Sequence, residues 1–150
     1  ISDQMIGSIK FYAKSINSLS SGKDVRVSKR IKIPSHKIRG FEPGKIGPID
    51  SDSNFVGGNY ASAINISTTL PTFLPELQTL DLNFFIDAAT LWGVVYKESL
   101  EKGINIRSSF GFSIDWTTPV GPLNFVLAQP ITKESTDKTE SFRFNLGTTF

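Results

Sequence analysis

The chain has 150 residues, of which 16 are basic and 14 acidic, so its net charge is only +2. A nucleic-acid-binding protein usually has a clear excess of basic residues, which this chain lacks. We therefore predict no nucleic-acid partner. The absence of cysteine excludes disulfides and thiolate metal sites within these residues, and a single histidine, His36, cannot build a histidine-rich metal site. No phosphate-binding or dinucleotide glycine pattern occurs, and His36 has no nucleophile beside it in sequence. The sequence therefore predicts no enzyme, no catalytic residue, no metal and no cofactor.

From about residue 80 onward, apolar and polar side chains alternate in segments of about ten residues. Leu80, Leu82, Phe84 and Ile86 share one parity, and the acidic or amide residues between them share the other. Because successive side chains of a strand point to opposite faces, each such strand has one apolar and one polar side. This dyad repeat is typical of a transmembrane β-barrel. A β-sandwich that buries its apolar face under a second sheet would show the same alternation, so the pattern alone leaves both folds open.

The pattern predicts six strands, joined alternately by short turns and longer loops. Mean hydropathy is near zero, at −0.08, and no apolar run approaches the roughly 20 residues of a membrane-spanning helix. Short Pro- and Gly-marked turns on one side and longer charged connections on the other match the two ends of an outer-membrane barrel. The predicted strands are Gly7–Ser18, Asn59–Leu70, Thr79–Trp92, Ile104–Thr117, Pro122–Ile131 and Ser141–Phe150.

Two features of this pattern need a larger protein or a special explanation. Six strands are fewer than the roughly eight of the smallest single-chain bacterial barrels. The chain also begins Ile-Ser-Asp, without an initiator methionine or signal sequence. We therefore expect residues 1–150 to be the C-terminal part of a larger transmembrane barrel. The first connection, residues 19–58, is too long for an ordinary loop and is expected to be functional.

Three segments together resemble the BamA family of outer-membrane protein assembly factors, within the bacterial surface antigen superfamily. The first is Ile38-Arg39-Gly40-Phe41 followed by Gly57-Gly58-Asn59, which is similar to the family's long sixth extracellular loop and the start of the next strand. The second, residues 121–130, opens with Gly-Pro-Leu like the family's penultimate strand. The third, residues 142–150, resembles its final strand. The resemblance covers nearly the whole chain in the right order, and it implies a barrel of about 16 strands.

The resemblance also implies a set of functional residues. The loop-tip motif is Arg39, Gly40 and Phe41, and the loop is expected to fold back inside the barrel, where Asp87 would meet Arg39. A guanidinium carried into a barrel needs such an acceptor, since an unpaired buried charge is very costly. Some relatives have a second acidic partner, but Ser67 aligns there. From residue chemistry alone, Arg39 could instead be a solvated loop charge and Asp87 could pair with Arg107.

The last strand is expected to close the barrel and to act as an assembly signal. An end strand exposes backbone groups that can template pairing with another strand. In the family this strand pairs weakly with the first strand, and a glycine would weaken that pairing further. The residues concerned are Phe142, Phe144, Leu146, Gly147 and the terminal aromatic Phe150.

The function implied by the resemblance is an outer-membrane insertase that folds client β-barrel proteins by strand-edge templating. Its expected partners are the outer-membrane lipid bilayer, client β-barrel proteins and accessory lipoproteins. An alternative from the same superfamily is a two-partner secretion or TamA-like translocation pore. A soluble β-sandwich is a third interpretation, in which Phe110 and Phe112 would be covered rather than exposed.

Overall fold

Six antiparallel strands form one sheet in the computed structural model, which describes residues 5–20, 22–71, 79–94 and 103–147. Each strand pairs with its neighbour in the sequence, so the spatial order is the chain order. Between β1 and β2 lie two short 3₁₀ helices, Val27–Lys29 and Ser35–Lys37. No helix among the described residues is long and apolar enough to cross a membrane. The strands are β1 Gly7–Ser15, β2 Tyr60–Leu70, β3 Leu80–Trp92, β4 Ile106–Thr118, β5 Gly121–Thr132 and β6 Phe142–Leu146.

The predicted all-β architecture is confirmed, and all six predicted strands are present with ends that differ by a few residues. The β4–β5 connection shrinks to a two-residue turn, Pro119-Val120, because Thr118 and Gly121 extend the ladder on either side. The short turn predicted after Leu70 and the longer loop predicted after Trp92 fall mostly outside the described residues. So does Phe150, the expected terminal aromatic of the closing strand.

The outer face of the sheet carries the apolar parity and is uncovered. A row of large apolar residues, Ile9, Ile66, Ile86 and Phe110, runs across the first four strands as cross-strand neighbours. All four are exposed by 40% or more. The described strands belong to a single sheet, so no second sheet covers these side chains as a β-sandwich would require.

The opposite, inner face carries the polar parity and is covered by residues 16–59, here called the long loop. The inner-facing positions include Asn65, Asp87, Arg107, Ser109 and Ser113, and all of them are buried. These polar side chains are inside while large apolar ones are outside, the reverse of what a soluble protein shows. This inversion is what the alternation predicts for strands that face lipid on one side and a polar interior on the other.

Candidate functional site

The long loop is anchored on the inner face by an apolar cluster of its own. Its isoleucines and Phe41 pack against inner-facing residues of the sheet, chiefly alanines of β2 and β3. Because these alanine side chains are small, the loop backbone can approach the sheet closely. Gly58 shows how close this approach is, since a Cβ atom on it would lie 2.7 Å from the carbonyl oxygen of Trp92. The cluster consists of Ile31, Ile33, Ile38, Phe41, Ile46, Ala61, Ala63, Ala89 and Leu91.

At the tip of the loop, Arg39 forms a bidentate ion pair with Asp87 of β3. Arg39 Nε donates to Asp87 Oδ2 and Arg39 Nη2 to Asp87 Oδ1, each at 2.7 Å. The backbone N–H of Arg39 also donates to Oδ2, at 3.0 Å. The Asp87 side chain is fully buried, and that of Arg39 is 17% exposed. Planar fork-to-fork geometry of this kind fixes orientation as well as charge pairing.

Three further residues hold the Arg39 and Asp87 pair in place. The guanidinium carbon of Arg39 lies 3.5 Å from the centre of the Phe85 ring, so the cation is stacked on an aromatic face. Asn65 Nδ2 donates to Asp87 Oδ1 at 2.8 Å, and Ser109 Oγ donates to the carbonyl oxygen of Arg39 at 2.5 Å. Each oxygen of the buried carboxylate therefore accepts two hydrogen bonds, which offsets its loss of hydration.

Gly40 and Phe41 continue the tip in a space that excludes larger residues. Gly40 has φ of 87°, and a Cβ atom on it would lie 3.2 Å from the Cβ atoms of both Ser109 and Ala128. Glycine is favoured here for its backbone conformation and for the lack of room. Phe41 is 1% exposed and forms an isolated β-bridge with Thr139 in the connection between β5 and β6.

Two residues that sequence reasoning did not single out, Arg143 and Asp137, also bind the long loop. Arg143 of β6 donates to the carbonyl oxygens of Phe41 at 2.6 Å and Ser35 at 3.2 Å. Asp137 lies in the β5–β6 connection, and its Oδ1 accepts the backbone N–H of Gly47 at 3.3 Å. The inward parity of Arg143 in the last strand was a usable signal, whereas nothing in the sequence marks Asp137.

Arg107 does not pair with Asp87, as residue chemistry alone could have suggested. Its Nε and Nη2 donate to the two carboxylate oxygens of Asp137 at 2.9 and 3.1 Å. Both side chains are fully buried. Among the described residues, the inner face therefore holds two separate bidentate pairs, one on β3 that binds the loop tip and one on β4 that fixes the β5–β6 connection.

Below the loop tip, a polar cavity of about 450 Å³ is lined by inner-facing residues of all six strands together with His36 and Lys37 of the loop. A ladder of hydrogen bonds crosses its wall and converges on Asp115. Asn83 Nδ2 and Asn124 Nδ2 donate to the two Asp115 oxygens at 2.9 and 2.7 Å, and Asn145 Nδ2 donates to Asn124 Oδ1 at 2.9 Å. The cavity wall is thus polar with its amides paired, in keeping with the interior of a barrel.

The predicted closing-strand residues lie at the edge of the sheet. Phe142, Phe144 and Leu146 of β6 point to the outer face and are 50% or more exposed. Gly147 follows the strand with φ of 109°, and its N–H donates to the carbonyl oxygen of Pro122 at 3.0 Å. The glycine therefore extends the hydrogen bonding to β5 by one residue beyond β6, in a backbone conformation that favours glycine.

The pKa values of His36 and Asp24, two residues of the long loop, are shifted. Partial burial lowers the pKa of His36, and the positive charges of Lys37, Lys10 and Arg39 lower it further. Burial alone would raise the pKa of Asp24, but hydrogen bonds from the Val25 backbone and from Asn59, with the nearby Arg30, bring it below its ordinary value. His36 therefore adds no positive charge to the cavity rim at neutral pH.

Comparison with known proteins agrees with this architecture. The chain is 29% identical over 141 residues to the outer membrane protein assembly factor BamA of Neisseria meningitidis serogroup B, an alignment covering 75% of this chain and 17% of that protein. It is 30% identical over 132 residues to the protein of the same name from Neorickettsia risticii, covering 87% of this chain and 18% of that protein.

This chain is also similar to the crystal structure of BamA from Haemophilus ducreyi lacking POTRA domains 1–3, with a TM-score of 0.80 and 26% sequence identity. The match covers 94% of this chain and 31% of the chain in that structure. The chain thus spans less than a fifth of the curated relatives it matches. The family model of the Omp85 superfamily domain matches residues 1–150. By sequence and by fold, the chain belongs to the Omp85 superfamily.

Proposed function

We propose that this chain is the C-terminal part of the transmembrane barrel of an outer-membrane insertase, which folds and inserts client β-barrel proteins. The observation that carries the proposal is the Arg39-Gly40-Phe41 loop tip, docked on Asp87 at the polar inner face of a sheet whose apolar outer face is uncovered. The names of the relatives support the same function.

The dimensions of the sheet suit a bilayer. The 13 residues of β3, from Leu80 to Trp92, rise roughly 30 Å at about 3.3 Å per residue and a tilt of about 40°. That height is close to the hydrocarbon thickness of a membrane, about 25–30 Å. Trp92 stacks on Tyr60 at one end, with ring centres 5.8 Å apart, and Trp116 pairs with Leu80 at the other. Aromatic residues at both ends are the expected interfacial girdles.

The proposed mechanism uses backbone hydrogen bonding rather than a reaction. The edge of β6 that faces away from β5 would present N–H and C=O groups to a client strand, whose pairing would replace the hydrogen bonds that lipid cannot supply. The exposed Phe142, Phe144 and Leu146 keep the growing edge in the apolar layer. We further propose a complete barrel of about 16 strands, with accessory lipoproteins acting on regions outside this chain.

The test uses the full-length protein in a bacterium whose own assembly factor can be depleted. We expect the unmodified protein to restore the folded fraction of a resident porin, measured by its heat-modifiable gel mobility. Arg39→Ala and Asp87→Ala should lower that fraction, whereas Lys29→Ala, which removes an exposed basic residue of the same loop, should not. A protein that leaves porin folding unrestored but exports a cognate passenger polypeptide would instead be the secretion or TamA-like pore, and the insertase proposal would be wrong.

A further inference from the structure

Arg143 is the point at which the edge strand β6 is tied to the long loop. All three guanidinium nitrogens are used. Nη2 binds the carbonyl oxygen of Phe41, Nη1 that of Ser35, and Nε binds Glu140 Oε2 at 2.7 Å. The Arg143 side chain is only 12% exposed. Two of its three acceptors belong to a loop more than a hundred residues away in sequence, so these bonds form only when the loop is docked.

The rest of β6 is weakly held. Within the described part of the chain, five residue pairs join it to β5, from Leu123 to Leu127, whereas eleven join β2 to β3. Its outer-facing side chains are exposed, and its second edge has no strand beside it among the described residues. Besides Arg143, the inner-facing residue of the strand is Asn145, which donates one hydrogen bond to Asn124. A single arginine therefore supplies most of the inner-face attachment of this strand.

The same loop segment binds β3 as well as β6. Arg39 binds Asp87 on β3, and two residues further on Phe41 offers its carbonyl to Arg143 on β6. Backbone hydrogen bonds from Glu42 N–H to the Lys138 carbonyl and from Lys138 N–H to the Lys45 carbonyl, at 2.9 and 3.0 Å, attach the loop to the β5–β6 connection. The loop tip thus connects β3 to the β5–β6 hairpin through hydrogen bonds on both sides.

We propose that Arg143 is a positioning residue that couples docking of the long loop to pairing of β6 with β5. When the loop is docked, Arg143 holds the edge strand in place, and when the loop leaves the inner face, β6 is released. Only the consequence for client folding rests on the proposed function, since β6 would be the templating strand. The coupling itself is a property of this fold and can be measured without a client.

Amide hydrogen exchange of the full-length protein in lipid nanodiscs tests the coupling. Charge-assisted hydrogen bonds from Arg143 to two carbonyls are lost in Arg143→Gln, so we expect exchange across residues 142–146 to rise by about tenfold or more. Exchange in β2 and β3 should stay unchanged. Arg143→Lys should restore part of the protection, because a lysine keeps the charge but not the planar fork that reaches both carbonyls. Lys10→Gln, which removes another inner-facing charge from the cavity wall, serves as the matched control.

A second set of variants separates coupling from general loosening. Arg39→Lys weakens docking on β3 alone, and we expect it to raise β6 exchange as well. In that background, adding Arg143→Gln should raise exchange by less than about twofold, since coupled residues are not additive. Unchanged β6 exchange in Arg143→Gln, an equal rise throughout the sheet, or full additivity with Arg39→Lys would each overturn the proposal.

Two remaining outcomes are also decisive. If Arg143→Gln does not fold, the comparison of Arg143→Lys with Lys10→Gln decides, and equal β6 exchange in those two proteins refutes the coupling. If β6 is loosened while porin folding in cells is unaffected, the coupling stands and its link to the proposed insertase is wrong.

Discussion

Replacing Arg39 by alanine should release the tip of the long loop from the inner face. The substitution removes two 2.7 Å hydrogen bonds to a fully buried carboxylate and a cation stacked 3.5 Å above Phe85. Removing one partner of a buried ion pair typically costs about 3–5 kcal/mol. Asp87 keeps its hydrogen bonds from Asn65 and from the backbone N–H of residue 39, so we expect the lower end, about 3 kcal/mol.

This loss should be visible as faster proteolysis of the loop. If the loop opens and recloses quickly, its cleavage rate follows the population of the open form, and about 3 kcal/mol raises that population roughly 150-fold. The assay is cleavage of the full-length protein by proteinase K in native membranes, a protease that does not depend on the basic residue being removed. Arg39→Lys should lie between wild type and Arg39→Ala, because an ammonium cannot make both hydrogen bonds in the same plane.

A double-mutant cycle with Asp87→Ala isolates the pair itself. We expect a coupling energy of about 1.5 kcal/mol or more, since each residue loses its main partner in either single variant. Lys29→Ala, which removes an exposed basic residue of the loop, is the control for loop charge and should leave the cleavage rate unchanged. A rise of less than about threefold in Arg39→Ala, or a coupling energy of zero, would show that the apolar cluster alone holds the loop.

Other substitutions test separate parts of the site. Gly40→Ala should lower the melting temperature in detergent, because φ of 87° and the Cβ contacts at 3.2 Å cost about 1–3 kcal/mol. Asp137→Asn removes the negative charge facing the fully buried Arg107 and should lower the urea midpoint by the equivalent of about 3 kcal/mol. The lowered pKa of His36 means that the undocked loop binds protons more readily, so docking should weaken as pH falls below 6.5 and stay constant above it. Loop cleavage measured against pH should show this shallow slope, and His36→Gln should remove it.

The strands were predictable from sequence because their periodicity is set by a local rule. Side chains alternate between two environments that differ in polarity. The sequence of each strand therefore indicates its two faces without information about the neighbouring strands. The parity that carries Phe84 and Ile86 lies on the outer face, where Ile86 is exposed, and the parity that carries Asp87 lies on the inner face, where Asp87 is buried. Strand ends were less predictable, since Thr118 and Gly121 join the ladder only because their partners lie across a two-residue turn.

The contacts of the long loop were predictable only in part. Arg39 and Asp87 were proposed as partners on the strength of the family resemblance, and the structure brings them together. The roles of Asp137 and Arg143 depend on where a connection and a strand end lie in space, and no periodicity encodes that position. Arg107 illustrates the difficulty. Its inward parity was readable, but its partner is 30 residues away in a polar connection where several acidic residues occur.

The missing second carboxylate beside Arg39 has a physical explanation in the register of β2 and β3. Ser67 pairs with Phe85, whereas Asn65 pairs directly with Asp87 and donates to it. A second carboxylate would give the buried cluster a net negative charge that needs another cation, while an amide supplies a hydrogen bond without charge. One arginine and one aspartate are already neutral together, and Asn65 also binds the carbonyl oxygen of Lys37 at 3.0 Å. The amide thus links Asp87 of the wall to the loop backbone two residues before Arg39. Docking can therefore be strong with a single acidic residue, provided that Asn65 is kept.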